Sequence, residues 1–103
     1  MVEITLAATP WARVRGLIGR PCPLPGTGFL LRPAASVHTC FMRYPIDVVF
    51  LDGDGRVLAV HETLPPWRMR AQRGARAVLE LRPGEARRLG IRRGKLTLCW
   101  QRP

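Results

Sequence analysis

His38 and Cys40 stand two residues apart in a predicted strand, so their side chains would project from the same face. An imidazole beside a thiol can supply a base and its nucleophile, or two ligands for a metal ion. A zinc site needs further protein ligands, and nothing in the spacing of Cys22, His61 and Cys99 requires them to join this pair. The alternative is a small buried Cys40 beside a hydrogen-bonded His38. We therefore assign no catalytic residue, metal or cofactor.

Asp47 is a carboxylate inside the apolar run 46–51, where period-two alternation puts it on one face with Val49 and Leu51. A buried carboxylate that stays charged and unpaired costs several kcal/mol, so Asp47 must find a cation or hydrogen-bond donors. It is either structural, in an ion pair or capping the turn 43–45, or it orients a ligand in a cleft. The candidate cations are Arg13, Arg15, Arg43 and Arg68.

Trp67 and Arg68 follow two prolines, at positions 65 and 66, that stiffen their loop. Together they can present a flat aromatic face and a fork of hydrogen-bond donors to an anionic or ring-shaped ligand. The simpler alternative is that Trp67 plugs the mouth of a barrel, with Arg68 stacked over it. Phe41 and Met42 are predicted to line the core or a pocket.

Positive charge is concentrated in one third of the chain. The net charge is +10, and residues 67–95 carry ten of the 17 basic residues against two of the seven acidic ones. Such a patch suits nucleic acid, anionic lipid headgroups or an acidic partner, although a solvated face is commoner. Single-strand binders add aromatic platforms to the charge, and only Trp67 is interleaved with these arginines in the sequence. Nucleic-acid binding would use Arg68, Arg70, Arg73 and Arg76, in a segment with Gly74 that is predicted to be a mobile basic loop.

Short β-branched and aromatic runs separated by turns predict the framework that positions these groups. The run 46–51 should be a central, mostly buried strand, and Asp52-Gly53-Asp54-Gly55 should turn it into an antiparallel return strand. Thr9 can cap a helix from Pro10 to Ile18, and residues 83–89 can form a helical turn ended by Gly90. The predicted strands are Val2 to Ala7, Gly28 to Arg32, Ser36 to Cys40, Ile46 to Leu51, Val57 to Leu64, Ala77 to Arg82 and Leu96 to Trp100.

The fold class that these elements favour is mainly β. Short strands with tight turns predict a small antiparallel β-barrel or sandwich-like domain, with one N-terminal helix and a short late helical turn. Within the predicted strand 77–82, Glu80 alternates with Leu79 and Leu81. We therefore expect Glu80 to be exposed or paired with an arginine.

Length and composition limit the class of protein. A chain of 103 residues that is 47% hydrophobic and 23% charged can bury one core, which predicts a single domain over residues 1–103. Three widely spaced cysteines indicate neither a disulfide framework nor a zinc ribbon, and a reducing compartment fits best. The sequence shows no export signal, and no stretch reaches the roughly 20 apolar residues of a spanning helix, so we expect a cytoplasmic protein.

Several motifs together resemble one known family. The segment HTCFMRYPID, from His38 to Asp47, followed by VVFLD and a glycine-containing turn, resembles the signature of the family called domain of unknown function 192. The resemblance implies a β-barrel or sandwich-like domain and no particular reaction. Ala34 and Ala35 stand where relatives often carry a Cys, which weakens any metal or redox function that uses that Cys. The resemblance extends to Arg13-x-x-Gly16-Leu17 with Gly19-Arg20, to Pro66-Trp67-Arg68, and to Val78-Leu79-Glu80-Leu81 with Gly84.

These observations favour a domain that binds an unidentified small or anionic ligand in a cleft between residues 38–47 and 66–68. One alternative is nucleic-acid or acidic-partner binding through the basic face from Arg68 to Arg93. An enzyme that uses Cys40 with His38 or a bound metal is another, and an interaction module with exposed apolar surface is a third. The candidate ligand-binding residues are His38, Cys40, Met42, Arg43, Asp47, Trp67 and Arg68.

Overall fold

Seven strands and one short helix make up the structure over residues 3–7 and 22–94, which are the residues that the computed structural model describes. No helix among these residues is long and apolar enough to cross a membrane. The elements are β1 (Glu3–Ala7), β2 (Thr27–Leu31), β3 (Ser36–His38), β4 (Ile46–Leu51), β5 (Val57–Leu64), β6 (Met69–Ala71), β7 (Ala77–Leu81) and α1 (Glu85–Arg88).

Five strands form one sheet in the order β1-β2-β7-β4-β5, and β3 pairs with β6 in a separate two-stranded sheet. Every pairing is antiparallel except that of β1 with β2. A parallel pair needs a long connection between its strands, and residues 8–26 supply it. The helix predicted from Pro10 to Ile18 falls in this connection, outside the described residues.

Both faces of the five-stranded sheet are covered, and all residues of β4 and β7 are buried. On one face, Phe50 and its neighbours pack with Val37 of β3 in the first core. On the other face, Leu79 and its neighbours pack with Ala86 of α1 in the second core. The first core contains Phe29, Leu31, Val37, Met42, Ile46, Val48, Phe50, Leu64, Ala75 and Val78, and the second contains Leu30, Val49, Leu51, Val57, Ala77, Leu79, Leu81 and Ala86.

The prediction of a mainly β fold with antiparallel pairing is confirmed, but the sheet does not close into a barrel within the described residues. The strands predicted at 46–51 and 57–64 have the observed bounds. The turn between them forms as expected: the Asp52 Oδ1 accepts hydrogen bonds from the N–H groups of Asp54 and Arg56, and Gly55 has a φ of 84°. The helical turn predicted at 83–89 forms as α1, and the strand predicted at 96–100 lies outside the described residues.

Two local predictions are wrong. Part of the predicted basic loop is a strand, because residues 69–71 pair with 36–38 and β6 thereby acquires a partner from a distant part of the chain. Glu80 is buried rather than exposed, with 1% of its surface accessible. One face of β7 packs in the first core and the other in the second core, and Glu80 lies on the first face, beside Phe29 and Val48.

Candidate functional site

Asp47 is fully buried, and backbone amides surround its carboxylate. Its Oδ2 accepts hydrogen bonds from the N–H groups of Gly84 and Ala86, each at 3.0 Å, and its Oδ1 accepts one from Thr63 N–H at 2.8 Å. Gly84 and Ala86 belong to the start of α1, so Asp47 satisfies amides that the helix itself leaves unbonded. The prediction of a structural Asp47 fits this geometry, but its donors in the described residues are amides rather than the guanidinium groups that we expected.

Asp47 also lies on the other side of the sheet from Met42 and from strand β3, which carries His38. It is opposite Leu81 in the β4–β7 register, and Leu81 belongs to the second core. Met42 belongs to the first core, as does Val37, the neighbour of His38 in β3. The structure therefore does not bring Asp47 together with His38 in one cleft.

Thr39 connects the segment after β3 to the loop before β6. Its Oγ1 donates a hydrogen bond to the Pro65 carbonyl oxygen at 2.7 Å and accepts one from Arg68 N–H at 2.8 Å. Its backbone N–H donates to the Arg68 carbonyl oxygen, and its carbonyl oxygen accepts from the N–H groups of Met42 and Trp67. These bonds explain why β3 ends at His38, two residues before the predicted end: the backbone of Thr39 turns to the 65–68 loop.

Phe41 and Trp67 form an exposed pair on these two connected loops, which we call the aromatic platform. Their ring centroids are 4.7 Å apart at an interplanar angle of 60°, with 68% and 59% of each residue's surface exposed. Both have left-handed backbones, with φ of 67° and 65°, which is rare for bulky residues and costs about 1–3 kcal/mol each. Trp67 therefore does not plug a barrel mouth, and the expectation that Phe41 lines the core is wrong.

Replacing Thr39 with Val should lower the free energy of unfolding by about 2 kcal/mol, because the Arg68 N–H and the Pro65 carbonyl each lose a buried partner. Urea unfolding measures the change. Thr39→Ser keeps the hydroxyl and should recover most of the loss. Thr27→Val is the matched control, since it removes only an exposed bond to Leu24 and should cost less than about 1 kcal/mol. Equal losses in the two Val variants would show that Thr39 does not hold the loops.

The other candidates near the platform differ in accessibility. His38 lies opposite Met69 in the β3–β6 register, and its buried Nδ1 has no hydrogen-bond partner among the described residues. Cys40 is a half-buried free thiol. The Nδ1 atom of His38 therefore forms no hydrogen bond with Cys40. Such a bond would be needed if His38 acted as the base for the Cys40 thiol through Nδ1. Met42 is buried in the first core, where it cannot reach a ligand at the surface.

Exposed arginines flank the aromatic platform on both loops. Arg43 follows Phe41 by two residues, Arg68 follows Trp67 directly, and both are exposed. Arg70 lies further along β6, and its Nη1 donates a 2.7 Å hydrogen bond to the Met69 carbonyl oxygen. The two loops that carry the aromatic rings therefore also carry exposed charged donors, and an anion with an apolar ring needs both kinds of partner.

Glu80 is the second buried carboxylate, and its surroundings differ from those of Asp47. Its Oε1 has no hydrogen-bond partner among the described residues. Burial raises the pKa of Glu80 to about 8. Burial also raises the pKa of Tyr44 to about 12, with smaller contributions from Cys22 and Glu80. Glu80 is thus mostly protonated at neutral pH in the folded chain.

Sequence reasoning missed the importance of Thr39 and Phe41. The spacing of Thr39 gives no sign of its bonds, which reach residues 65–68 far along the chain. Phe41 is predicted to line the core or a pocket, but its side chain is exposed and its backbone is left-handed, which the residue type does not indicate. Trp67 and Arg68 were identified from the stiff loop that carries them.

Comparisons with known proteins identify the family of the chain and structures similar to it. No curated protein matches the chain. A crystal structure of a protein of unknown function from Novosphingobium aromaticivorans is 28% identical with a TM-score of 0.81, covering 90% of this chain and 71% of that one. A "putative transcription regulator" from Sinorhizobium meliloti is 28% identical with a TM-score of 0.80, covering 88% and 76%. The model of the DUF192 family, described as "Uncharacterized ACR", matches residues 1–97, and the chain belongs to this family.

Proposed function

We propose that this domain is a binding module for an anionic ligand that carries a flat ring, and that the ligand stacks on the aromatic platform. The observation that supports this most is the exposure of both Phe41 and Trp67 on strained backbone. Folding alone would favour burying such rings, which each bring a large apolar area. Strained residues that stay exposed and are held by a buried network are typical of functional sites.

The sign of the ligand's charge follows from the flanking side chains. Arg43 and Arg68 are exposed, and neither forms a salt bridge among the described residues. The Nη1 of Arg68 approaches the carbonyl oxygens of Pro66 and Trp67 only to 3.5 Å, so its donors are free to reorient towards a ligand. A planar guanidinium can bind a phosphate or carboxylate with two hydrogen bonds, while the neighbouring ring stacks.

The Sinorhizobium meliloti relative adds support of a general kind. Its description as a transcription regulator applies to that protein. For the present chain it favours a nucleotide-containing ligand among the anions with rings. Adenosine monophosphate combines a base and a phosphate and is the simplest such probe.

Adenosine monophosphate should bind more tightly than adenosine or inorganic phosphate, because it engages the rings and the arginines together. Calorimetric titration at low salt measures the three affinities. Trp67→Ala should weaken binding of the nucleotide about tenfold, as expected for the loss of one stacking partner. Leu24→Ala is the control, since Leu24 is also a largely exposed apolar residue, at 68%, but is not part of the platform. No binding of the nucleotide, or equal losses in both variants, would overturn the proposal.

A further inference from the structure

A groove of about 710 Å³ runs beside β5, at the edge of the five-stranded sheet. We call it the β5 groove, and Leu58, Val60, Gln72, Ile91, Arg92 and Arg93 are among the residues that line it. Arg87 also lines it but is paired with Glu62, with N–O distances of 3.2 and 3.4 Å. Arg92 and Arg93 are exposed and form no salt bridge among the described residues, so the groove keeps unneutralised positive charge.

The aromatic platform and the β5 groove are connected through β6. Trp67 lies two residues before β6, and Gln72, which lines the groove, follows β6 directly. Burial lowers the pKa of His61 in β5, and Arg70, which lies between the platform and the groove in the sequence, lowers it further. A ligand that extends from Trp67 along β6 would therefore meet Arg70 and then the groove.

We infer that the anionic ligand is a single strand of nucleic acid, with one base stacked on the aromatic platform and its phosphates running along β6 into the β5 groove towards Arg92 and Arg93. This inference rests on the proposed function and extends it from one nucleotide to a chain. Single-strand binding sites combine a positive groove that follows the backbone with aromatic rings on which bases stack. Here β6 lies between the two parts, with Trp67 shortly before it and Gln72 of the groove directly after it.

An acidic peptide is the other extended anion that a positive groove could hold. Carboxylates would pair with Arg92 and Arg93, but a peptide of acidic residues has no ring to place on Phe41 and Trp67. Stacking of a base uses the rings and the charges at once. The platform therefore favours nucleic acid over the peptide.

The test is fluorescence anisotropy with a labelled oligothymidylate of about eight nucleotides. Thymidine monophosphate and a poly-glutamate peptide are added as unlabelled competitors of the oligonucleotide. The oligonucleotide should bind at least about tenfold more tightly than the mononucleotide, because additional phosphates contact the groove. Arg92→Ala with Arg93→Ala should weaken the oligonucleotide about tenfold and leave the mononucleotide unchanged.

The same double variant should reduce the slope of log affinity against log salt by about 1.4, since each phosphate contact on a single strand contributes about 0.7. Arg82→Ala is the control, because it removes an exposed charge that does not line the groove, and it should leave the affinity for the oligonucleotide nearly unchanged. Trp67→Ala should weaken both nucleotides.

Several results would overturn the inference. If the oligonucleotide binds no more tightly than the mononucleotide, or if Arg82→Ala weakens it as much as the double variant does, the strand does not use the groove. Mononucleotide binding that depends on Trp67 would still support the proposed function. If poly-glutamate binds as tightly as the oligonucleotide, the partner is an acidic protein segment. If no nucleotide binds at low salt, the inference and the proposed function both fail.

Discussion

Replacing Asp47 with Ala should lower the free energy of unfolding by about 4 kcal/mol. The carboxylate is fully buried and accepts hydrogen bonds from Thr63, Gly84 and Ala86, and all three N–H groups would lose this acceptor. Each unsatisfied buried donor costs about 1–3 kcal/mol, and relaxation around the gap recovers part of the sum. Because a domain is stable by only about 5–15 kcal/mol, this single change removes a large share of the total.

Urea unfolding of the purified variants measures the effect. Asp47→Asn keeps one carbonyl oxygen as an acceptor and should lose less than Asp47→Ala. Asp52→Ala is the matched control, because Asp52 also accepts two backbone N–H bonds, but in an exposed turn where water can replace it. It should cost about 1 kcal/mol. A loss for Asp47→Ala no larger than that for Asp52→Ala would contradict a structural role for Asp47.

The second large effect concerns pH and Glu80. Burial raises the pKa of this carboxyl from 4.5 to about 8, so the folded chain holds a proton that the unfolded chain releases. Below about pH 4.5 Glu80 is protonated in both the folded and the unfolded chain and costs no stability. Between pH 4.5 and 8 the stability of the folded chain falls as pH rises, and above pH 8 the loss is complete. Because a tenfold change in a proton-binding constant corresponds to about 1.4 kcal/mol, the loss of stability reaches roughly 4 to 5 kcal/mol.

Glu80→Gln should remove this dependence. The amide has nearly the shape of the protonated carboxyl and never ionises, so the variant and the original chain should be similarly stable near pH 4.5 and should diverge by several kcal/mol at about pH 9. Urea unfolding at a series of pH values gives the difference, and the contributions of histidines and cysteines cancel because both proteins contain them. Glu62→Gln, an exposed carboxylate paired with Arg87, should change stability by less than about 1 kcal/mol and serves as the control. Parallel curves for the original chain and Glu80→Gln would show that Glu80 is not held protonated.

The parts of the fold that could be predicted are those whose signal is local. The run 46–51 is β-branched and aromatic throughout, and the Asp-Gly-Asp-Gly turn after it selects a hairpin, so β4 and β5 were predicted with their bounds. β6 has no such pattern, since Met69, Arg70 and Ala71 extend only because residues 36–38 pair with them. The exposure of Glu80 was predicted wrongly because alternation indicates an exposed face only where one side of the sheet meets water. Both sides of β7 are covered.

The sequence predicted the residue types of the candidate site better than it predicted how those residues are arranged. Trp67 and Arg68 were recognised from a stiff loop with an aromatic ring beside a charge, and both are exposed. The meeting of Phe41 with Trp67 depends on the hydrogen bonds of Thr39 to a loop that begins 26 residues later. Contacts over such a distance leave no periodic trace in the sequence, and the left-handed backbone of Phe41 is set by those same contacts.

The strand order also bears on how the chain assembles during synthesis. β1 with β2 and β4 with β5 are complete when residue 64 has left the ribosome, but in the described residues only β7 joins the two pairs, and it comes later. Until Ala77–Leu81 emerges, each pair keeps an open edge at which another nascent chain could add. A message that ends before Ala77 would therefore yield two half-sheets with no strand to pair them with each other, and chaperones or proteases would have to deal with such a product.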